Sequence, residues 1–292
     1  MRLALLLTSA AGAALLGACA PAAQAPAGPP AAEVAEVPPL TVNVLDCGTI
    51  AISDLDAFSS AGDYAGQSGE FTNTCYLVNH PDGRRLLWDT GLPGILVDSG
   101  PATQQIFTVS LASTLTDQLA GLGLTPADIT YVAVSHSHFD HIGQIDQVQG
   151  STWLAHQAEL DVIIPPDGSA PQADPSQAAL FQAFGGMKRE AFTGEKDVFG
   201  DGTVVIFETP GHTPGHTSLQ LMMPESGPVL LTGDLYHRAQ SRPLARVPRF
   251  NFNEEQTRAS MAAFEERAQR LGAKVIIQHE KADIAPLGGV IR

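Results

Sequence analysis

The chain has 292 residues, 31 of them acidic and 16 basic, for a formal net charge of −15. A hydrophobic content of 44% suffices for a core, so wholesale disorder is excluded. The acidic surplus argues against a nucleic-acid partner and against unaided adhesion to anionic lipid, because both are bound through clustered Lys and Arg.

Met1-Arg2 is followed by apolar or small residues from 3 to 18. That run is too short to span a bilayer as a helix and has the layout of a secretory signal. Leu16-Gly17-Ala18-Cys19 resembles a bacterial lipoprotein box. The resemblance implies that 1–18 is a lipoprotein signal peptide and that Cys19 carries the only membrane anchor. With Ala20 next, it places the protein on the periplasmic face of the outer membrane. A plain signal cleaved near Ala18 or Ala20, leaving a periplasmic or secreted protein, is the alternative. Residues 19–40 are Ala/Pro-rich and read as a semi-rigid tether, and the folded domain is expected at 41–292.

From 41 onward, strand-like and helix-like segments alternate without a repeat. Strands are predicted over Thr41–Asp46, Asn73–Asn79 and Arg85–Asp89, rich in Val, Leu and Tyr between turn residues. Leu115, Leu119 and Leu122 mark a helix over Ser113–Gly123. Further strands are predicted at Tyr131–Ser135, Thr152–Ala155, Thr203–Glu208, Ser218–Met223, Val229–Thr232 and Lys274–Gln278. Asn253 and Gln256 open a helix that presents Met261, Phe264, Ala268 and Leu271 on one face and ends at Gly272. The pattern is that of an α/β (α+β) layered domain.

His136-Ser137-His138-Phe139-Asp140-His141 follows directly on the apolar strand Tyr131–Val134. In extended chain His136 and His138 point the same way, and a turn then lets Asp140 and His141 face a second point nearby. Imidazole and carboxylate are the donors that zinc takes, and three His with one Asp in six positions are hard to explain as packing. His212, Asp234 and His279 each stand just past a predicted strand, so one shared metal site is expected.

These residues resemble the metallo-β-lactamase superfamily, and within it the N-acyl-homoserine lactonase-like branch. The resemblance includes Leu87-Trp88-Asp89-Thr90-Gly91 and covers essentially all of 41–292. It implies a four-layer αββα sandwich with two divalent ions, zinc foremost, at one edge. It assigns one ion to His136, His138 and His212, the second to Asp140, His141 and His279, with Asp234 bridging. It further implies a hydrolase that opens a lactone, as in quorum quenching, by attack of a metal-generated hydroxide, with Asp140 passing the proton to the leaving group. Asp234 speaks against a true β-lactamase, which usually has Cys or Ser there, and His138 against a flavodiiron protein, which has Glu. The alternatives are a broader hydrolase of another ester, a thioester or a β-lactam, or a non-catalytic binding protein with a degenerate fold. Partners are limited to a small lactone or ester, and the sequence sets no oligomeric state.

One departure from the branch stands out. The lactonases carry a Tyr three residues after the bridging Asp. Here Tyr236 is two residues after Asp234, and His237 holds the third place. Either could hydrogen-bond the substrate carbonyl. His216 is expected to orient the neighbouring loop or the ligands, and His80 and His156 to lie at the surface or behind the ligands. Arg238, Arg242, Arg246 and Arg249 are expected to pair with acidic groups or to receive a product carboxylate. The Gly/Ser-rich Ile50–Phe71 segment reads as a lid or a surface loop. Cys47 and Cys75 are either a disulfide of an oxidising compartment or two buried thiols.

Overall fold

The computed structural model describes residues 39–292. The predicted signal peptide, Cys19 and all of the tether except residues 39 and 40 lie outside the described residues. The strands are β1 Thr41–Ile52, β2 Gly69–Asn79, β3 Arg85–Trp88, β4 Ala102–Gln104, β5 Phe107–Ser110, β6 Tyr131–Ala133 and β7 Thr152–His156. They continue with β8 Lys188–Phe192, β9 Glu195–Asp197, β10 Val204–Glu208, β11 Thr217–Met223, β12 Gly227–Leu231, β13 Lys274–Ile276 and β14 Val290–Ile291. The helices are α1 Leu96–Ser99, α2 Leu115–Gly121, α3 Phe139–Ile142, α4 Gln157–Ile163, α5 Pro175–Phe181, α6 Ser241–Leu244, α7 Glu254–Leu271 and α8 Lys281–Ile284.

The strands form two sheets. One runs β4-β5-β1-β2-β3-β6-β7-β8, with β14 also on β1; the other runs β13-β12-β11-β10-β9. Alternation along β2 explains how they stack. Cys75 and Leu77 face a cluster with Leu115, Leu119, Leu160 and Phe181 of the helices. Tyr76 and Val78 point the opposite way, into a cluster with Val204, Leu219, Leu221 and Leu231 of the second sheet. Both faces of the strand are apolar because both are covered. Beyond the second sheet, Met261, Phe264 and Ala268 of α7 pack on Phe207 and Leu230. The layers are therefore helix, sheet, sheet, helix: the expected αββα sandwich.

Local sequence sets the element ends. Thr114 and Asp117 form a reciprocal capping box at α2, and Asn253 accepts from the amide of Gln256 to cap α7. Gly272 takes the left-handed conformation that terminates α7. Cys47 and Cys75, on neighbouring strands β1 and β2, are joined by a disulfide with a Cα–Cα distance of 5.8 Å, which decides between the two sequence readings.

The Ile50–Phe71 segment is not an ordinary surface loop: its Ile50, Phe58 and Phe71 stand over the residues expected to hold metal. β1 runs on to Ile52, and Leu55, Phe58 and Tyr64 are buried in their own cluster with Phe71. Arg246 pairs with Asp63 and Arg249 with Asp56, fastening this segment to the one that follows α6. Arg242 pairs with Glu265, and Arg238 lies over the Tyr64 ring at 4.6 Å. Three of the four arginines are thus ion-paired within the fold.

Strand direction places the chemistry. β6 is parallel to β3 and β7, and β13 is parallel to β12. β10, β11 and β12 form an antiparallel meander, so β10 runs the same way as β12. The C-terminal ends of β6, β10, β12 and β13 lead into His136, His212, Asp234 and His279 respectively. No helix among the described residues is long and apolar enough to cross a membrane.

Candidate metal centre

Two groups of metal-competent side chains meet at this edge. His136, His138, His212 and Asp234 form the first, and Asp140, His141 and His279 the second; within each, the ligand atoms lie within 4.8 Å of one another. In the first, His138 Nδ1 is 2.9 Å from His136 Nε2 and 3.0 Å from His212 Nε2. Asp234 stands between the groups. Its Oδ2 lies 3.6 Å from His136 Nε2 and 3.5 Å from His212 Nε2. Its Oδ1 lies 3.2 Å from His141 Nε2 and 2.9 Å from His279 Nε2. Asp140 Oδ2 completes the second group, 3.5 Å from His141 Nε2 and 3.6 Å from His279 Nε2. All seven residues expected as ligands are brought together.

The residues fit metal ions. His141 Nε2 and Asp234 Oδ1 are buried with no hydrogen-bond partner, although a buried polar atom is expected to be satisfied. Burial, reinforced by the neighbouring imidazoles, holds His136 and His138 well below the usual histidine range. They are therefore neutral, the form that coordinates a metal. At His141 burial acts downward, but Asp234, Asp140 and Asp89 outweigh it and raise the pKa. Burial would likewise raise Asp234, yet His279, His141 and His237 hold it ionised. A negative bridging carboxylate among five imidazoles is a donor set for divalent cations.

A shell of hydrogen bonds fixes these groups. Asp89, buried at the exit of β3, accepts from Ser135 N at 2.6 Å, His141 Nδ1 at 2.9 Å and Gln278 Nε2 at 2.6 Å. It does so in the left-handed backbone conformation, φ 62°, which Asp tolerates better than most residues. Asn73 donates to the carbonyl of Asp140 at 2.6 Å, and His279 Nδ1 lies 2.9 Å from the carbonyl of Thr72. His216 accepts from the amide of Asp234 at 2.9 Å through Nε2, with Nδ1 3.0 Å from the carbonyl of Thr209. It is the orienting residue anticipated from its position. His80 bonds Asp201 at 2.9 Å and His156 bonds Glu208 at 2.7 Å, outside the cluster. Of this shell, only His216 and Asp89 stand in recognisable sequence motifs. Asn73 and Gln278 carry no motif, and only strand pairing brings them to the site.

Tyr236 and His237 separate cleanly. His237 Nε2 is 3.0 Å from Asp234 Oδ2, and its ring lies 5.0 Å from Phe58 and 5.9 Å, stacked, from His279. Tyr236 is corrected as a site candidate. Its backbone is extended, φ −136° and ψ 130°, so its side chain points opposite to its neighbour's. It packs 6.0 Å from Phe264 and donates its hydroxyl to Glu265 at 3.0 Å.

Above the cluster is a chamber of about 50 Å³ walled by Ile50, Phe58, Phe71, Phe107, Phe139 and Phe250. Phe107 and Phe139 also open onto an apolar groove of about 690 Å³ that passes Ile95, Leu96, Val109 and Leu180.

Residues 68–279 match the family described as "Metallo-beta-lactamase superfamily". An N-acyl homoserine lactonase AttM of Rhizobium johnstonii is 29% identical over 217 residues, 71% of this chain and 81% of the relative. A protein of the same name from Rhizobium radiobacter is 32% identical over 169 residues, 56% of this chain and 63% of its own length, so the match spans less than two thirds of it. A solved N-acyl homoserine lactone hydrolase with N-hexanoyl-L-homoserine at its metal centre superposes with a TM-score of 0.71 at 22% identity, covering 84% of this chain and 95% of that one. The dizinc lactonase AidC superposes at 0.65 and 19% identity, over 86% and 89% of the two chains. These superpositions agree with the four-layer fold.

Proposed function

We propose that this chain, which belongs to the metallo-β-lactamase superfamily, is a metal-dependent lactonase that opens N-acyl-homoserine lactones. The observation that carries the reading is Asp234, which offers one carboxylate oxygen to each of two histidine groups. The relatives named N-acyl homoserine lactonase support the substrate class.

His136, His138 and His212 would hold one ion, Asp140, His141 and His279 the other, and Asp234 both; zinc suits this nitrogen and oxygen donor set. Two bound ions supply Lewis acidity at the ester carbonyl and a water of lowered pKa as nucleophile. His237 lines the chamber, and the N–H that it shares with Asp234 Oδ2 would turn to the carbonyl oxygen as it gains charge once that carboxylate holds metal. Asp140 lines the same chamber and would take a proton from the attacking water and pass it to the leaving ring oxygen. The phenylalanine walls exclude water and accept an apolar acyl group. Because the chamber has room for about one or two waters, the acyl chain extends along the groove beyond Phe107 and Phe139.

The leader adds a location. A lipid on Cys19 would hold the enzyme at the periplasmic face of the outer membrane, and the Cys47–Cys75 disulfide supports an oxidising compartment.

The test is a side-by-side assay of the zinc-loaded protein on an acyl-homoserine lactone, a δ-lactone, an aryl ester, a β-lactam and a thioester. The acyl-homoserine lactone should be opened fastest, yielding a free carboxylate. A faster thioester, ester or β-lactam would reassign the substrate class. No hydrolysis at all, with less than one metal per chain, would make it a binding protein.

A further inference from the structure

Glu159 is a buried carboxylate that the chemistry of lactone opening does not use. It sits in the first turn of α4 and is 2% exposed. One oxygen accepts from the amide of Ser137 at 2.7 Å, the residue between His136 and His138. The other accepts from the hydroxyl of Thr213 at 2.8 Å and the amide of Gly215 at 2.9 Å, just past His212. A single side chain thus ties together the two loops that carry the three histidines of the first metal group.

The neighbourhood is built around this contact. The carbonyl of Ser137 accepts from Gln177 Nε2 at 2.8 Å, so the His136–His138 peptide is gripped on both sides. A Cβ on Gly215 would stand 2.2 Å from the amide nitrogen of Glu159, so only glycine lets the second loop come this close. All three hydrogen-bond donors to the carboxylate are neutral. Burying a carboxyl group costs its hydration, and an apolar side chain would fill the same space without that cost.

We infer that Glu159 is a positioning residue. It fixes His138 against His212 so that the first group is preformed for a divalent cation. The inference rests on the metal centre proposed for this chain.

The experiment measures zinc affinity by competition with a chromophoric chelator, on the whole chain and on its Glu159→Gln and Thr213→Val variants. Melting of the metal-free proteins is followed in parallel. In Glu159→Gln one zinc should be held about 10-fold more weakly, or worse, while the other keeps wild-type affinity. Thr213→Val, which removes one of the three hydrogen bonds, should weaken the same ion by a smaller factor. If both ions bind the variants as tightly as the wild type, while only the metal-free melting temperature falls, Glu159 is merely structural and the inference is overturned. If Glu159→Gln does not fold, Thr213→Val decides by the same criterion. A wild-type chain that fails to bind two zinc ions would instead overturn the metal centre itself.

Discussion

His237 Nε2 lies 3.0 Å from Asp234 Oδ2, while the residue between His237 and Leu235 turns the other way and bonds Glu265. The histidine holds the third place after Asp234, where the resemblance led to the expectation of a tyrosine. It keeps a hydrogen-bond donor over the cluster, but one that is tied to the bridging carboxylate.

The pair Tyr236 and His237 should therefore part in mutagenesis. His237→Phe should lower kcat by about 10²-fold or more, the cost of removing an oxyanion donor, with the fold intact. Tyr236→Phe should leave kcat and KM near wild type and cost about 1 kcal/mol of stability from its lost hydrogen bond. Steady-state kinetics with denaturant unfolding reads both, and the reverse pattern would return the role to Tyr236.

Gly143 holds the site from below. Its φ is unremarkable, but a Cβ there would lie 2.3 Å from the carbonyl carbon of Leu92 and 2.5 Å from the carbonyl oxygen of Gly91. That turn follows Asp89 and accepts from the Gly143 amide at 2.7 Å. Gly143→Ala should cost about 3 kcal/mol by overpacking, visible as a lower denaturation midpoint. Wild-type stability would mean that the two loops are free to separate.

His216 gives a pH signature in the metal-free protein. Burial, then His212, pushes its pKa down to about 3 from an ordinary 6.5. Between those values the unfolded chain binds a proton that the folded one refuses, so stability rises with pH across the window. The contribution is complete above about pH 6.5 and is lost as pH falls toward 3. His216→Gln should flatten the stability curve between pH 4 and 6 by about 1.4 kcal/mol per pH unit. Parallel curves for variant and wild type would contradict this.

Much of this was legible because it is written in local pattern. Composition between turn residues marked most of β2, leucine spacing marked α2, and a cap marked α7. The His-x-His-x-Asp-His block was unmistakable because extended chain followed by a turn is itself a local event. The choice between Tyr236 and His237 was not legible: alternation says that they diverge, but only the packing of α7 says which faces inward. Phe58 and Tyr64 were visible in their Gly/Ser-rich stretch, but not their burial, which comes from a cluster with Phe71 and from ion pairs to Arg246 and Arg249, nearly two hundred residues away. Glu159 was invisible for the same reason. Its partners Ser137, Thr213 and Gly215 come from two other loops, and nothing in the sequence of α4 marks it.

The most direct test of the central claim is metal content and lactone hydrolysis, measured together, for the wild type and Asp234→Ala. The wild type should carry two divalent ions per chain and lose hydrolysis on chelation, and Asp234→Ala should lose metal and activity together. Full turnover by a metal-free Asp234→Ala protein would contradict the account.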